Sequence, residues 1–310
     1  MKINKASDYK LLSNSVVTIG TFDGVHVGHK KIIKRLVNIA KEEQLQAIVL
    51  TFFPHPRMVV QKDTNIKMLN TIDEKTKLLE SHGIDHLVVK KFTKEFSRLS
   101  AQDYVRDVLV NTLHVKHIII GYDHHFGRNR TANIDDLKAY GEIYDFKVTE
   151  ISAQDINDVT VSSTKIRNAL REGNIKKANT FLGYNFMLTG TIVKGKGLGK
   201  QLKFQTANIK IEESYKLIPK RGVYVVKSKI EDEVVFGMMN IGINPTVNGK
   251  EQTIEVHFFE FSQDIYGLRL EIEILERLRD EQKFDSLNDL KIQLGKDLIN
   301  SKHFLNQNDG

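Results

Sequence analysis

Two histidines one helical turn apart, His26 and His29, lie in the run GTFDGVHVGH from Gly20 to His29. Imidazole N–H groups at that spacing can hydrogen-bond phosphate oxygens and offset charge building at a phosphorus under attack. Gly20, Gly24 and Gly28 let the backbone approach a ligand closely, and Phe22 and Asp23 fall within the same loop. A helix opening near His29 would add free amides and the positive end of its dipole. The run is neither GxxxxGK[ST] nor GxGxxG, which argues against a kinase-type P-loop and a dinucleotide fingerprint. The chemistry that fits is attack by an anion on a nucleotide.

Three further loops carry suitable groups. VSSTKIRNAL, from Val161, offers Ser163 and Thr164 at a helix start with Arg167 one turn on, so hydroxyls, amides and a guanidinium can meet one anion. TFFPHPR sets His55 between two prolines that stiffen the chain. GYDHHFGR supplies Asp123, His124, His125, Phe126 and Arg128. The histidines come in pairs at most and no HExxH spacing occurs, which speaks against catalytic zinc. Magnesium carried by the phosphates of ATP is the expected metal.

These loops need strands to position them. From Val16 to about Gly183, short apolar runs alternate with helix-period stretches, as in βαβ units around a parallel sheet. VVTIG, AIVLTFF, HLVVKKF, HIIIGYD and FKVTEI read as strands, and the loops that follow them open on one sheet edge, where ligands of open α/β sheets bind. Helical patterns run from Lys30 to Glu43, with Ile32, Ile33, Leu36, Val37 and Ala40 on one face, and over Asp73–Ser81, Ala101–Leu113 and Ile134–Tyr144. After Tyr184 the rhythm changes to strands without crossover helices: TGTIVKG, RGVYVVKSKI, EVVFGMMNIG, TIEVHFFEF and LRLEIEILERL. That pattern predicts an antiparallel barrel or sandwich. A final helix follows, with Leu287, Leu290, Leu294 and Leu298 at helical spacing. The expected architecture is a doubly wound, Rossmann-like α/β domain over 1–184 and an antiparallel β-barrel with a terminal helix over 185–310.

Composition narrows the partners. The 310 residues include 40% hydrophobic and 27% charged side chains, the balance of a soluble globular protein. Cysteine is absent, so thiolate nucleophiles, disulfides and Cys-ligated metals are excluded. The net charge of +7 suits anionic ligands, but without a basic block or an aromatic RNP-like segment a nucleic-acid partner is not expected. No apolar run approaches the ~20 residues of a membrane span, and the polar start MKINKASDYK lacks a secretory h-region. The expectation is a cytoplasmic protein; oligomeric state stays open.

In order and spacing, GTFDGVHVGH, TFFPHP, GYDHHFG and VSSTKIR resemble the adenylyltransferase part of the bifunctional prokaryotic riboflavin kinase/FAD synthetase family. The resemblance continues through GTIVKGKGLGKQLKFQTANI, RGVYVV, NIGINPTV, IEVHFFEFSQDIYG and KFDSLNDLKIQLGKD. It implies phosphorylation of riboflavin to FMN by ATP in the C-terminal module, then adenylylation of FMN to FAD in the N-terminal one, with Mg²⁺ in both. It implies transition-state contacts from His26 and His29, phosphate contacts from Ser163, Thr164 and Arg167, and nucleotide contacts along Gly20, Phe22, Asp23, Gly24 and Gly28. Flavin contacts are implied at His55, Asp123 and Phe126, and in the barrel at Gly222 and Tyr224. It further implies Mg²⁺ binding by Thr206 and Asn208, Glu255 as general base, and a phosphate flap at Gly195, Gly197 and Lys200. Without the resemblance, Glu255 reads as an exposed strand carboxylate and the flap as a lysine-bearing hairpin.

Two departures qualify it. Lys203 and Gln205 replace the Gly and Pro of the family's Gly-Phe-Pro-Thr-Ala-Asn run, so the loop before Thr206 loses two backbone-shaping residues and kinase activity is expected to be weakened or altered. His124 and His125 stand where the family commonly has Phe-Arg, which would make a phosphate contact there pH-dependent. The competing readings are a single-function FMN adenylyltransferase with a flavin-binding or regulatory barrel, and an RNA-binding protein using that barrel.

Overall fold

The computed structural model describes residues 2–5, 13–61, 66–121, 124–152, 161–195, 204–246 and 249–308. The chain divides into two compact units, Met1–Ser163 and Thr164–Gly310.

In the first unit six strands form one parallel sheet: β1 (Lys2–Lys5), β2 (Ser15–Ile19), β3 (Gln46–Phe53), β4 (His86–Lys91), β5 (Val115–Gly121) and β6 (Lys147–Ile151). Their order is β1-β4-β3-β2-β5-β6. The chain steps outward from β2 through β3 and β4 on one side and through β5 and β6 on the other. The order therefore reverses beside the carboxyl end of β2, where a crevice opens in such sheets. Successive residues of the inner strands face opposite layers. Val16, Val49, Leu87 and Ile119 pack with α1 (Val27–Glu42), through Ile33, Leu36 and Ala40. Val17, Ile48, Leu50, Ile118 and Ile120 pack on the other face with Leu109 and with Leu137 of α5 (Ile134–Tyr144).

Between these lie α2 (Pro56–Val60), α3 (Ile72–Glu80) and α4 (Ala101–Asp103), which runs on as a π-helix over Tyr104–Val110. A capping box starts α3: Thr71 Oγ1 accepts from Glu74 N at 3.1 Å and Glu74 Oε2 accepts from Thr71 N at 2.9 Å. The expected strands are all present, and β1 is an addition. Its four residues KINK carry no strand pattern of their own, and its ladder is set by pairing with β4.

The second unit opens with α6 (Ser163–Glu172) and α7 (Ile175–Leu182). Six strands then close a barrel: β7 (Met187–Val193), β8 (Ala207–Lys210), β9 (Gly222–Ile230), β10 (Glu233–Thr246), β11 (Gly249–Phe258) and β12 (Arg269–Arg279). The order β10-β11-β8-β7-β12-β9 is antiparallel throughout, so the barrel alternative holds over the sandwich. Helix α7 is tied to the barrel by Asn179, whose Nδ2 donates to Ile274 O at 2.9 Å and whose Oδ1 accepts from Phe186 N at 2.8 Å. The contact division therefore falls before this helix pair, whereas the change of rhythm in the sequence falls after it, at Tyr184.

Helix α8 (Leu287–Asn308) closes the unit. Asp297, 1% exposed, takes two charge-assisted bonds from Arg279, at 2.9 and 2.6 Å, and a third from Gln293 at 2.9 Å. Leu290, Leu294 and Leu298 are half-buried as their spacing predicts, but Leu287, at the first turn, is exposed.

Candidate active sites

Gly20–His26 forms a tight turn between β2 and α1, with backbone few side chains adopt. Phe22 and Val25 have φ of 43° and 36°, in the left-handed region, and Gly24 has φ 88°. Burial of Phe22 and Val25, 3% and 0% exposed, holds those angles in place. Thr21 O accepts from Thr51 Oγ1 at 3.2 Å and from Lys75 Nζ at 2.6 Å. The Asp23 carboxylate, 1% exposed, accepts from Leu69 N at 2.9 Å, while Asp23 O accepts from Ser163 Oγ at 2.8 Å. Two sequence motifs 140 residues apart thus meet on one turn.

His26 is the N-cap of α1, which begins two residues before the expected start; its Nδ1 accepts from His29 N at 3.4 Å. A neutral ring that accepts at Nδ1 carries its proton on Nε2. The two imidazoles stack with centroids 3.7 Å apart, and Phe22 lies 4.9 Å from His29. Gly28 permits this: a Cβ there would come within 3.3 Å of two His26 ring atoms. Burial lowers His26 to about 4. Burial lowers His29 well below the usual histidine range, reinforced by the charges of His26 and Lys75. Near neutral pH both rings are therefore uncharged hydrogen-bonding groups. His29 Nδ1 is buried and has no hydrogen-bond partner among the described residues.

His55 caps α2, its Nδ1 accepting from Arg57 N at 3.2 Å. Phe126 is 7% exposed and bridges Ala132 through its backbone; its ring lies 5.9 Å from that of Tyr104. Tyr104 continues a row of rings through Phe96, Phe52 and Phe92, with centroid spacings of 6.1, 5.7 and 5.7 Å. The Tyr104 hydroxyl is buried without a partner among the described residues. Neither Tyr104 nor Lys75 was singled out from the sequence, where each lies inside a helix-period stretch with no motif around it. Asp123 lies outside the described residues. Thr164 and Arg167 follow Ser163 on α6, with Arg167 7% exposed.

In the barrel, Thr206 Oγ1 donates to Glu255 Oε2 at 3.3 Å. Asn208 sits opposite Glu255 in the β8–β11 register and opposite Val193 in β7–β8. A Cβ on Gly195 would collide with the Asn208 amide, so only glycine lets the backbone pass there. Gln205, at the departure from the family run, has its carbonyl held by His257 Nδ1 at 2.8 Å, and Phe204 stacks edge-on to that imidazole at 5.2 Å. A cavity of about 340 Å³ adjoins Thr206, lined also by Ile192, Val256, Phe258, Phe261 and Tyr266. Gly197, Lys200 and Lys203 lie outside the described residues. Gly222 has φ 152°, and a Cβ on it would strike Arg279 O. Tyr224 is fully buried, its hydroxyl donating to Lys220 O and its ring 5.9 Å from the Arg277 guanidinium. Among the described residues, no cluster of three or more His, Asp or Glu is placed to hold a metal.

The family model for FAD synthetase matches residues 8–165 and that for riboflavin kinase matches 182–305. A bifunctional riboflavin kinase/FMN adenylyltransferase of Buchnera aphidicola is 38% identical over 95% of this chain and 94% of its own. One from Listeria monocytogenes is 39% identical over 94% and 92%. A crystal structure described as a macrolide-efflux protein from Streptococcus pneumoniae superposes with a TM-score of 0.86 at 31% identity, covering 97% of this chain and 98% of that one. Among the described residues here, no helix is long and apolar enough to cross a membrane. The chain belongs to the bifunctional riboflavin kinase/FMN adenylyltransferase family.

Proposed function

We propose that the Gly20–His29 turn performs the adenylyl transfer and that the Thr206–Glu255 pair performs the phosphorylation. The chain is an enzyme with both activities: it phosphorylates riboflavin to FMN with ATP and adenylylates FMN to FAD, releasing pyrophosphate. These activities use ATP and typically a divalent metal. We assign the adenylyltransferase domain to 1–184, the kinase domain to 185–310, and the enzyme to the cytoplasm, with its ATP.

For adenylyl transfer, an FMN phosphate oxygen attacks the α-phosphorus of ATP, and the bond to the bridging oxygen breaks to release pyrophosphate. The nucleophile is already an anion, so the protein positions it and offsets charge rather than removing a proton. Nε2–H of His26 and the ring of His29 donate to the developing charge, with Gly20, Phe22, Asp23, Gly24 and Gly28 shaping the turn against the nucleotide. Ser163, Thr164 and Arg167 bind phosphate. The observation that supports this most directly is the 2.8 Å bond from Ser163 Oγ to Asp23 O, which links the two phosphate motifs. His55, Asp123 and Phe126 are assigned to the flavin side, where the row of rings around Tyr104 gives an apolar wall for an isoalloxazine.

For phosphorylation, Glu255 takes the proton of riboflavin's primary hydroxyl as its oxygen attacks the γ-phosphorus and ADP leaves. The oxygen donors of Thr206 and Asn208 beside Glu255 suit a hard cation, and we assign Mg²⁺ to them. Bound there, Mg²⁺ would neutralise charge on the phosphates. Gly195, Gly197 and Lys200 are assigned to the flap over those phosphates, and Gly222 and Tyr224 to the flavin side, Tyr224 through packing rather than an exposed ring. The hold of His257 on Gln205 favours a working kinase over the single-function alternative.

Purified protein incubated with riboflavin, ATP and Mg²⁺, with flavins separated over time, tests this. FMN followed by FAD is expected. FAD from supplied FMN but no product from riboflavin would overturn the kinase assignment.

A further inference from the structure

Beneath the turn lies a cation that neither the motifs nor the proposed chemistry uses. Lys75, on α3, is 2% exposed and is the one buried cation among the described residues of the first unit. Taking an ammonium out of water is costly unless its three N–H donors are all served. Among the described residues one is: Nζ donates to Thr21 O at 2.6 Å. Asp23 attracts it electrostatically, but the Asp23 carboxylate is already engaged by the amides of Leu69 and Asn70. Those two amides, just before α3, tie the start of the helix to the turn, and at 2% exposure the ammonium is held in place rather than free to reach water.

Within the turn itself, neither histidine supplies a charge. His26 and His29 are uncharged near neutral pH and donate N–H only. Adenylyl transfer places extra negative charge on the α-phosphoryl oxygens and the leaving pyrophosphate, and a fixed cation in a water-poor site stabilises such charge strongly. We propose that Lys75 is a positioning residue for adenylyl transfer: its ammonium fixes the Thr21 carbonyl, and with it the Phe22–His26 backbone, and lends the turn the full positive charge that the two histidines do not carry. This rests on the reading of the turn as the adenylyl-transfer site.

A pH dependence follows. Among the described residues, the charged or titratable groups coupled to Lys75 are Asp23 in the turn and His29 on α1, and from β3 the Thr51 hydroxyl shares the Thr21 carbonyl with it. Burial lowers Lys75 to about 8, so it loses its charge as pH rises through that value.

The experiment compares full-length wild type with Lys75→Met, which removes the charge at similar length, and Lys75→Arg, which keeps a charge that does not titrate. FMN adenylylation and riboflavin phosphorylation are followed in the same samples from mildly acid to alkaline pH. Near neutral pH, kcat/KM for ATP in adenylylation should fall in Lys75→Met by roughly tenfold to a hundredfold, the scale of a misplaced catalytic turn, with phosphorylation unchanged. Wild-type adenylylation should decline through about pH 8; that limb should vanish in both variants, and Lys75→Arg should recover most of the neutral rate. A lysine that only packs gives the opposite order, with the slimmer Met tolerated and the bulkier Arg harmful, and that order sinks the proposal. So does a limb near pH 8 that persists in Lys75→Met. If Lys75→Met does not fold, the wild-type profile against Lys75→Arg decides alone. His29→Ala separates the two levels: full FMN conversion by it removes the turn from the reaction altogether, whereas its failure alongside a fast Lys75→Met removes only the lysine.

Discussion

The Gly20–His29 turn and the Thr206–Glu255 pair place reactive groups under opposite conditions. The first is buried: strained backbone, stacked neutral imidazoles and a desolvated lysine are fixed by contacts from β3, α3 and Ser163. The second is half-exposed, with one 3.3 Å contact between Thr206, just before β8, and Glu255 on the adjoining β11. The difference fits the two reactions as proposed for these sites. A phosphate nucleophile needs no base, so its site can be dry and rigid; a hydroxyl nucleophile needs a positioned carboxylate to take its proton.

The largest effect that could break this contrast is expected from Glu255→Gln. Loss of a general base lowers riboflavin phosphorylation by about 10²–10⁴, and separated flavins should show FAD still forming from supplied FMN. His29→Ala comes next and does the reverse: FMN conversion falls by about 10²–10³, the scale for one lost transition-state donor, with riboflavin phosphorylation retained. Equal damage to both reactions by both substitutions would dissolve the two-site assignment.

Acid should weaken the buried site first. His26 is held at about 4 in the folded state against an ordinary value near 6.5. The unfolded chain therefore binds the extra proton between those values, and the stability from burying a neutral ring is full above about 6.5 and lost as pH falls toward 4. The loss is about 3 kcal/mol for the one group. Denaturant unfolding followed across that range should show it, and His26→Asn should flatten the slope; an unchanged slope would show that His26 does not titrate as its burial demands. The smallest effect sharpens the contrast from the barrel side. Asp297→Ala leaves Arg279 without its carboxylate, costing the second unit about 2 kcal/mol, since Arg279 retains some access to water. Both activities should survive at temperatures where the variant stays folded.

Much of this was legible in the sequence because period and order carry it. Alternation at Val16 and Val17 assigns each residue to opposite faces of β2, and the glycine-histidine run marks the end of that strand. Strand β8 was not legible: ANIK is four residues long and is defined by its partners β7 and β11. Lys75 was not legible either, because in the Asp73–Ser81 pattern a lysine reads as a solvated helix face and only the docking of α3 buries it. Tyr104 sits in a stretch with helical spacing that the fold winds as a π-helix, turning its ring toward Phe96 and Phe126. Glu255 is the converse case. Its role was suggested by family resemblance alone, since a strand carboxylate carries no local sign that Thr206 will lie beside it.

The contacts of Asp23 also constrain how the first unit is made. Its carboxylate waits for residues 46 and 47 positions downstream, and its carbonyl for one 140 positions away. Contacts of such separation close late and slow the search for the native state. On the ribosome, the turn near the start of the chain therefore stays unfinished until Ser163 has emerged, and a nascent chain stopped short of that point would have the sheet but not the completed turn.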